Sequence, residues 1–203
     1  VFPGERSIDE VLRSEYPRTR VLASGQEITL RPLQPADRAR LLAFFRRLPA
    51  DERGRFFRDN VADPALVAQW CNEMDVTKLL PIVALAGDRI VADGTIRRER
   101  QQMKAHVGQV RLSVDPEYRR LGLGRVLMRE LLDLAPELGL SWVDVEVVSS
   151  DVSAIAFLEK LAFQKAGVLP RHAQNPLGGR EDDLVFMTRP VGDYLEPDVG
   201  GQE

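Results

Sequence analysis

Apolar residues along this chain recur with two different periods, and the switches between them mark its elements. Leu79 to Ala86 is a near-continuous apolar run; Gly87-Asp88 follows as a turn, then Arg89 to Ile96, which predicts a β-hairpin. An earlier pair, Thr19 to Ala23 and Glu27 to Arg31, brackets Ser24-Gly25 and predicts another hairpin, stopped by Pro32. Val107 to Val114 predicts a further strand. Ser141 to Val148 alternates, with Val143, Val145 and Val147 on one side and Trp142, Asp144 and Glu146 on the other. Phe163 to Leu169 and Asp183 to Arg189 predict two last strands.

Between these runs the spacing becomes helical. Ile8 to Leu12 is a short amphipathic stretch with a small apolar side, expected to dock weakly or to serve a partner. Pro35-Ala36-Asp37 opens a helix with Leu41, Leu42, Phe45 and Leu48 on one face. Asp51 to Arg58 and Asp63 to Met74 follow, the latter started by Asp63 before Pro64. Leu127, Leu131 and Leu134 stripe another helix, which Pro136 ends or kinks. After Asp151 or Ser153 as N-cap, Ala154, Ile155, Phe157, Leu158, Leu161 and Ala162 form a broad apolar face.

Composition narrows this to one soluble domain. The 203 residues suffice for a single good core, and 44% hydrophobic with 29% charged residues is globular composition. A net charge of -3 gives no electrostatic case for nucleic acid or an anionic membrane, and no apolar run is long enough to span a bilayer. The single Cys71 asks for no oxidising compartment, so a cytoplasmic setting is the default expectation. The expected division is an extension at 1–17, one domain at 18–191 and a loose Gly-, Pro- and acid-rich tail at 192–203. The chain begins at Val1, which reads as a fragment or a processed form.

The chemistry centres on Gln109 to Arg125, Gln-Val-Arg-Leu-Ser-Val-Asp-Pro-Glu-Tyr-Arg-Arg-Leu-Gly-Leu-Gly-Arg. A strand that turns into a helix N-terminus aims unpaired N–H groups and the positive end of a dipole at one spot, which suits phosphate. Gly122 and Gly124 allow close backbone approach, and Arg119, Arg120 and Arg125 bring charge. No Gly-Lys-Ser/Thr follows, and the third glycine of the dinucleotide fingerprint is missing. The string Arg-x-x-Gly-x-Gly after Val-Asp-Pro-x-Tyr resembles the pyrophosphate loop of the GNAT superfamily, the acyl-CoA-dependent N-acyltransferases.

A second block carries the same resemblance. Asp151-x-x-Ala154-Ile155-x-Phe157-Leu158-Glu159-Lys160-Leu161-Ala162-Phe163 is similar to the superfamily's Asn-x-x-Ala-x-x-Leu-Tyr-x-Lys-x-Gly-Phe. Asp151 stands for Asn and Ala162 for Gly. Leu158 stands where a Tyr often protonates the departing thiolate, so that acid is not carried over; the alternatives are departure with water's help, Tyr118 or His172 as substitute, or no catalysis. Phe44 to Phe57 also resembles the corresponding stretch of bacterial protein-lysine acetyltransferase domains.

The resemblance implies a mixed α/β (α+β) fold, with a splayed, mostly antiparallel central sheet of about seven strands and helices on both faces. It implies acetyl-CoA or CoA as cosubstrate, with no metal, and transfer of the acyl group to a primary amine on a small molecule or a protein lysine. Implied cofactor contacts are Leu112, Ser113 and Val114 on the strand, Arg119, Arg120, Leu121, Gly122, Leu123, Gly124 and Arg125 in the loop, and Asp151, Ser153, Phe157 and Leu158 beyond. The N–H of Val114 or a neighbour is the implied oxyanion donor. A Glu146 base matches a strand Glu in some members, whereas Gln109, at the other branch's base position, cannot take a proton. Glu73, Asp75 and Asp93 are further base candidates by reach.

Residues Ala36 to Met74 and a long mobile loop, Pro170 to Asp182, are expected on the acceptor side. His106 reads as a surface residue and Cys71 as a buried structural thiol. Two histidines and one cysteine lack metal-ligand spacing. A homodimer is open from the resemblance. The alternative function is an acyl-CoA-binding sensor without turnover, and a weaker one a nucleotide-binding interaction protein.

Overall fold

A computed structural model describes residues 7–56, 60–72, 74–98, 102–174 and 181–192. One sheet carries eight strands, one more than expected: β1 (Arg18–Val21), β2 (Glu27–Pro32), β3 (Leu79–Ala86), β4 (Arg89–Arg98), β5 (Val107–Val114), β6 (Trp142–Val148), β7 (Gln164–Gln174) and β8 (Glu181–Pro190). Their order is β1-β2-β3-β4-β5-β6-β8-β7, and only β5 and β6 pair in parallel. Among the described residues six α-helices accompany them: α1 (Ile8–Glu15), α2 (Arg38–Arg47), α3 (Ala50–Phe56), α4 (Pro64–Asn72), α5 (Leu123–Leu134) and α6 (Val152–Glu159).

Strand alternation divides the core in two. On one face Leu80, Ile82, Ala84, Ala92, Ile96, Val110, Val143 and Val147 pack with Leu127, Leu131 and Met128 of α5 and Leu158 of α6. On the other, Val83, Leu85 and Ile90 meet Leu41, Phe44 and Phe45 of α2 and Val67 and Cys71 of α4. Helices therefore cover both faces. The face under α5 is held close by Gly94, where an added Cβ would stand 2.8 Å from Leu131 Cδ1.

The N-terminal segment is not a weakly docked appendage. Ile8 and Val11 are buried in the α5-side core, and Tyr16 donates to Glu130 Oε1 of α5 at 2.5 Å. Arg18 reaches the same oxygen at 2.7 Å and Arg20 the other at 3.3 Å. A carboxylate this buried is costly unless paired, and the hydroxyl and two guanidiniums pair it. The amphipathic pattern showed an apolar side but not the buried acid it docks beside.

One further expectation changes. Pro170 to Asp182 is not one long loop: β7 runs to Gln174 with a register shift between Leu169 and Ala173, and β8 starts at Glu181. His172 stands exposed on the edge strand β7 with its Nδ1 2.8 Å from the Pro170 carbonyl. Pro176, Gly178 and Gly179 lie outside the described residues, as do residues 193–203 of the expected tail.

Ala162 explains one departure from the superfamily string. The α6 C-terminus closes with Phe163 N–H on the Leu158 carbonyl at 3.1 Å and Ala162 N–H on Glu159 at 2.9 Å, a Schellman arrangement. Ala162 takes the left-handed position of that arrangement, φ 61°, which glycine adopts without a Cβ penalty. Ala162→Gly is expected to stabilise the fold by about 0.5–1 kcal/mol, read as a higher denaturant midpoint at unchanged m-value.

Candidate active site

The site begins where two neighbouring strands stop pairing. β5 and β6 keep register only at Val107↔Trp142, Gly108↔Val143 and Gln109↔Asp144, although β5 pairs with β4 as far as Val114 and β6 with β8 as far as Val148. Beyond Gln109 the two strands form a fork. Asp115 N–H donates to Val91 across the β4 side at 2.9 Å. Because successive N–H groups point to opposite edges of a strand, those of Val114 and Leu112 point into the fork. Two backbone donors thus face an open wedge, as the oxyanion expectation requires.

At the open end of the fork stands the phosphate-like turn. Gly122 is the N-cap of α5 with φ 86°, Arg120 is also left-handed at φ 61°, and Val126 N–H closes the first turn on the Gly122 carbonyl. The N–H groups of Leu123, Gly124 and Arg125 precede the first intrahelical acceptor and point out of the helix end. A Cβ on Gly124 would lie 3.7 Å from Leu112 Cδ2 and Val114 Cγ2 and 3.8 Å from Phe157 Cζ. The glycine therefore sits where β5, α5 and α6 converge. A turn of this kind fits the pyrophosphate of a coenzyme A, with Arg120 and Arg125 exposed beside it.

Some expected contacts have other work. Arg119 gives both terminal nitrogens to Glu52 of α3, at 2.8 and 2.6 Å, and its Nε to the Val114 carbonyl at 3.1 Å. It ties the acceptor-side helices to the turn and is not a loose phosphate ligand. Leu123 and Leu158 are buried in the core, so Leu123 offers backbone only and the Leu158 side chain faces away from solvent. Leu121 packs against the same core. Asp151 caps α6, accepting from Ala154 N–H at 3.0 Å and Ser153 Oγ at 2.9 Å. Tyr118 lies beyond the far end of β5 from Gln109, with its hydroxyl 3.3 Å from Gln26 Nε2 and its ring under Arg89. Its hydroxyl and ring thus have partners of their own, and His172 stands on β7, two strands from β6.

The far side of the sheet holds a cavity of about 600 Å³ between the β3–β5 strands and helices α2 and α4. Its floor follows one strand face: Asp93, Thr95 and Arg97 of β4 beside Gln109 and Arg111 of β5. Its walls include Leu33, Leu41, Phe45, Leu66, Trp70 and Met74. Residues 36–74, expected on the acceptor side, supply Leu41, Phe45, Leu66, Trp70 and Met74 of this lining.

The carboxylate candidates now separate. Glu146 is exposed and accepts from Gln109 Nε2 at 2.8 Å, where the fork closes. Asp75 is held below the usual carboxylate range by hydrogen bonds from Lys78 and Thr77, which makes it a poor base. Glu73 lies outside the described residues. Asp93 is 7% exposed, lines the cavity, and has no hydrogen bond or ion pair with another described residue. Burial alone raises it from 3.8 to about 7. It stands opposite Ser113, one register step from the Val114 and Leu112 donors. A base at that value is half-ionised at neutral pH. Sequence periodicity placed Asp93 on a strand face; its isolation and burial were not readable there.

Other titratable groups are structural. Burial would raise Asp115, but hydrogen bonds from Arg47 and Arg89 outweigh it and hold the carboxyl below its ordinary value. Cys71 is buried and its thiol pushed up by burial, as a structural thiol should be. His106 is exposed, and its carbonyl accepts from Ser141 and Trp142 N–H, starting β6. Among the described residues no His, Cys, Asp and Glu group could hold a metal ion, and no helix is long and apolar enough to cross a membrane.

With this geometry in view, comparison with known proteins gives the class. The family model described as Acetyltransferase (GNAT) family matches residues 42–163, and the chain belongs to that family. It is 38% identical over 80 residues to the [Ribosomal protein bS18]-alanine N-acetyltransferase of Escherichia coli (strain K12), a match covering 39% of this chain and 53% of that protein. The chain spans about half the length of such curated relatives. The fold agrees with the GNAT domain of S. lividans PAT, at TM-score 0.72 and 16% identity over 88% of this chain and 98% of that one. It agrees equally with yncA of Salmonella typhimurium, a structure with its cofactor acetyl-CoA, at TM-score 0.70 and 20% identity over 85% and 98%.

The Asp93 geometry carries a stability prediction. Its folded value lies above its unfolded one, so ionising it opposes folding, and the penalty accumulates as pH rises from about 4 to about 7. Asp93→Asn should therefore gain stability over the parent by about 1 kcal/mol per pH unit across that window and hold a constant advantage above it. Denaturant titrations at pH 4.5, 6 and 8 measure this; equal differences at all three would remove the buried-acid assignment.

Proposed function

We infer that this chain transfers an acyl group, acetyl in the first instance, from acyl-coenzyme A to a primary amine by direct attack. The observation that carries the reading is the fork, because it leaves the Leu112 and Val114 N–H groups unpaired directly beside a glycine-bearing helix N-terminus. Family membership supports it, and so does the acetyl-CoA in the Salmonella typhimurium neighbour. Nothing in the comparisons favours a CoA-binding sensor without turnover.

The residues divide the task. N–H groups of Gly122, Leu123 and Gly124, with Arg120 and Arg125, hold the pyrophosphate. Ser113 and the fork-facing backbone of Leu112 and Val114 hold the pantetheine arm, and the Val114 N–H takes the carbonyl oxygen as it becomes an oxyanion. Asp151, Ser153 and Phe157 border the α6 side. Asp93 is the base, and Glu146 orients Gln109 at the closed end of the fork. With Leu158 buried and Tyr118 engaged by Gln26 and Arg89, the departing thiolate is protonated through water.

The acceptor amine enters from the cavity side, since the α5 and α6 side receives the coenzyme. The Escherichia coli relative modifies the alanine of ribosomal protein bS18, which keeps a protein amine beside a small-molecule amine as acceptor classes. A cytoplasmic setting goes with this reading, and a homodimer rests on the family resemblance alone.

Two measurements test it. Gly124→Glu places a charged side chain among Leu112, Val114 and Phe157 and should abolish acetyl-CoA binding by calorimetry while circular dichroism stays native; retained affinity would refute the loop assignment. For the base, Asp93→Asn should lower kcat/KM by about 10²–10⁴ and remove an acid limb near pH 7, whereas Glu146→Gln should keep that limb. The reverse pattern would return the base to Glu146.

A further inference from the structure

Val114 is held at its carbonyl as well as offered at its N–H. In an antiparallel strand the N–H and C=O of one residue point to the same edge, so the Val114 carbonyl faces the fork beside the N–H that takes the oxyanion. Arg119 Nε donates to that carbonyl at 3.1 Å. The next backbone donor, Asp115 N–H, goes to Val91 on the other edge at 2.9 Å. The peptide unit that joins Val114 to Asp115 is therefore fastened from both sides.

The guanidinium is itself aimed by a distant helix. Its terminal nitrogens meet the two oxygens of Glu52 at 2.8 and 2.6 Å, a two-pronged geometry that sets the plane of the group. Glu52 is placed through its neighbour: Arg53 Nη1 donates to the Leu48 carbonyl at 2.8 Å, which satisfies an end carbonyl of α2 and joins α3 to that helix. Arg47, the last residue of α2, donates to Asp115 and to the Ile90 carbonyl, both at 2.6 Å. The contacts thus run from Asp115 through α2 and α3 to Arg119 and close on Val114, one residue from where they began.

The Arg119–Glu52 link adds little to stability, since the two side chains are 39% and 25% exposed. Its position bears on charge. A bare carbonyl oxygen beside the oxyanion donor would repel the negative charge that develops there; a cationic donor on that oxygen offsets the repulsion and fixes the backbone that carries the N–H. We propose that Arg119 is a positioning residue, aimed by Glu52, that covers the Val114 carbonyl and holds the Val114 N–H on the thioester oxygen. This rests on the acyl-transfer reading above, and it moves Arg119 from the phosphates, where its place in the loop put it, to the acyl carbonyl.

Acetyl-CoA isotopically labelled at its thioester carbonyl reports this contact by difference infrared spectroscopy, with no acceptor needed. Bound to the parent protein, the carbonyl stretch should fall below its value in free acetyl-CoA, because a fixed donor polarises the bond beyond what water does. Arg119→Lys keeps the charge and loses the planar fork; it should return the stretch towards the free value while the calorimetric Kd for acetyl-CoA stays within about threefold of the parent's. Glu52→Ala should act in the same direction and by less, and should add nothing in an Arg119→Lys background, as expected of residues acting through one path. Native circular dichroism accompanies both results, and Glu52→Ala, at a partly exposed helix position, carries the test if Arg119→Lys does not fold. A Kd weakened well beyond that range would make Arg119 a coenzyme ligand and overturn the proposal, whatever the stretch. A parent-like stretch in both variants overturns it too, as does a parent complex whose stretch equals that of free acetyl-CoA, and either leaves the coenzyme site standing. Absence of acetyl-CoA binding to the parent overturns the acyl-transfer reading as well.

Discussion

The candidate site depends on three register pairs where the length of β6 would have allowed seven. β5 and β6 are each fully paired on their outer edges, so the sheet is continuous, yet between them the ladder stops after Gln109↔Asp144. Backbone donors that a sheet would normally consume are left facing a wedge. Leaving them unpaired is costly unless solvent or a ligand satisfies them, which makes the wedge a place where an extended polar chain can add itself as a strand would.

Two ionic centres hold the fork's surroundings in place. On one side Asp115, nearly inaccessible, accepts from Arg47 of α2 and Arg89 of β4 just after β5 ends. Arg119 adds a bidentate hold on Glu52 of α3 while gripping the Val114 carbonyl. The acceptor-side helices are thereby coupled to the turn at the head of α5. On the other side Glu130 of α5 collects Tyr16, Arg18 and Arg20 and fixes that helix against the N-terminal strand. Removing one partner from such a buried group costs more than the pair contributes, so these residues constrain position more than they add stability.

The two sides of the sheet differ in chemistry. The α5 and α6 face offers glycines, helix N–H groups and arginines, which suit a phosphorylated donor. The α2 and α4 face offers a partly apolar cavity with one isolated acid, which suits an amine. The sheet between them is one residue thick, and at the fork it is open. Val114 stands at that opening, and Asp93 lies across β5 from it, paired in register with Ser113.

Much of this was legible in the order of residues. Strand and helix periods, the turn dipeptides and the caps at Asp63 and Asp151 are local choices, made by side-chain alternation and short-range hydrogen bonds, and they stand in the structure where the pattern put them. The Gly122 and Gly124 turn was equally local, because φ above zero and a bare helix end need no distant partner. What the sequence could not express is which charge meets which. Arg119 read as a phosphate ligand and serves Glu52, 67 positions away. Tyr118 read as a free acid and meets Gln26 and Arg89. Asp93 read as one acid among several, and only the packing of α2 and α4 over β4 strips it of water and partners. A chain's own neighbours set its local conformation, but desolvation and ion pairing are sums over everything that folds nearby, so the glycine turn was determined by sequence and the isolation of Asp93 by the tertiary structure.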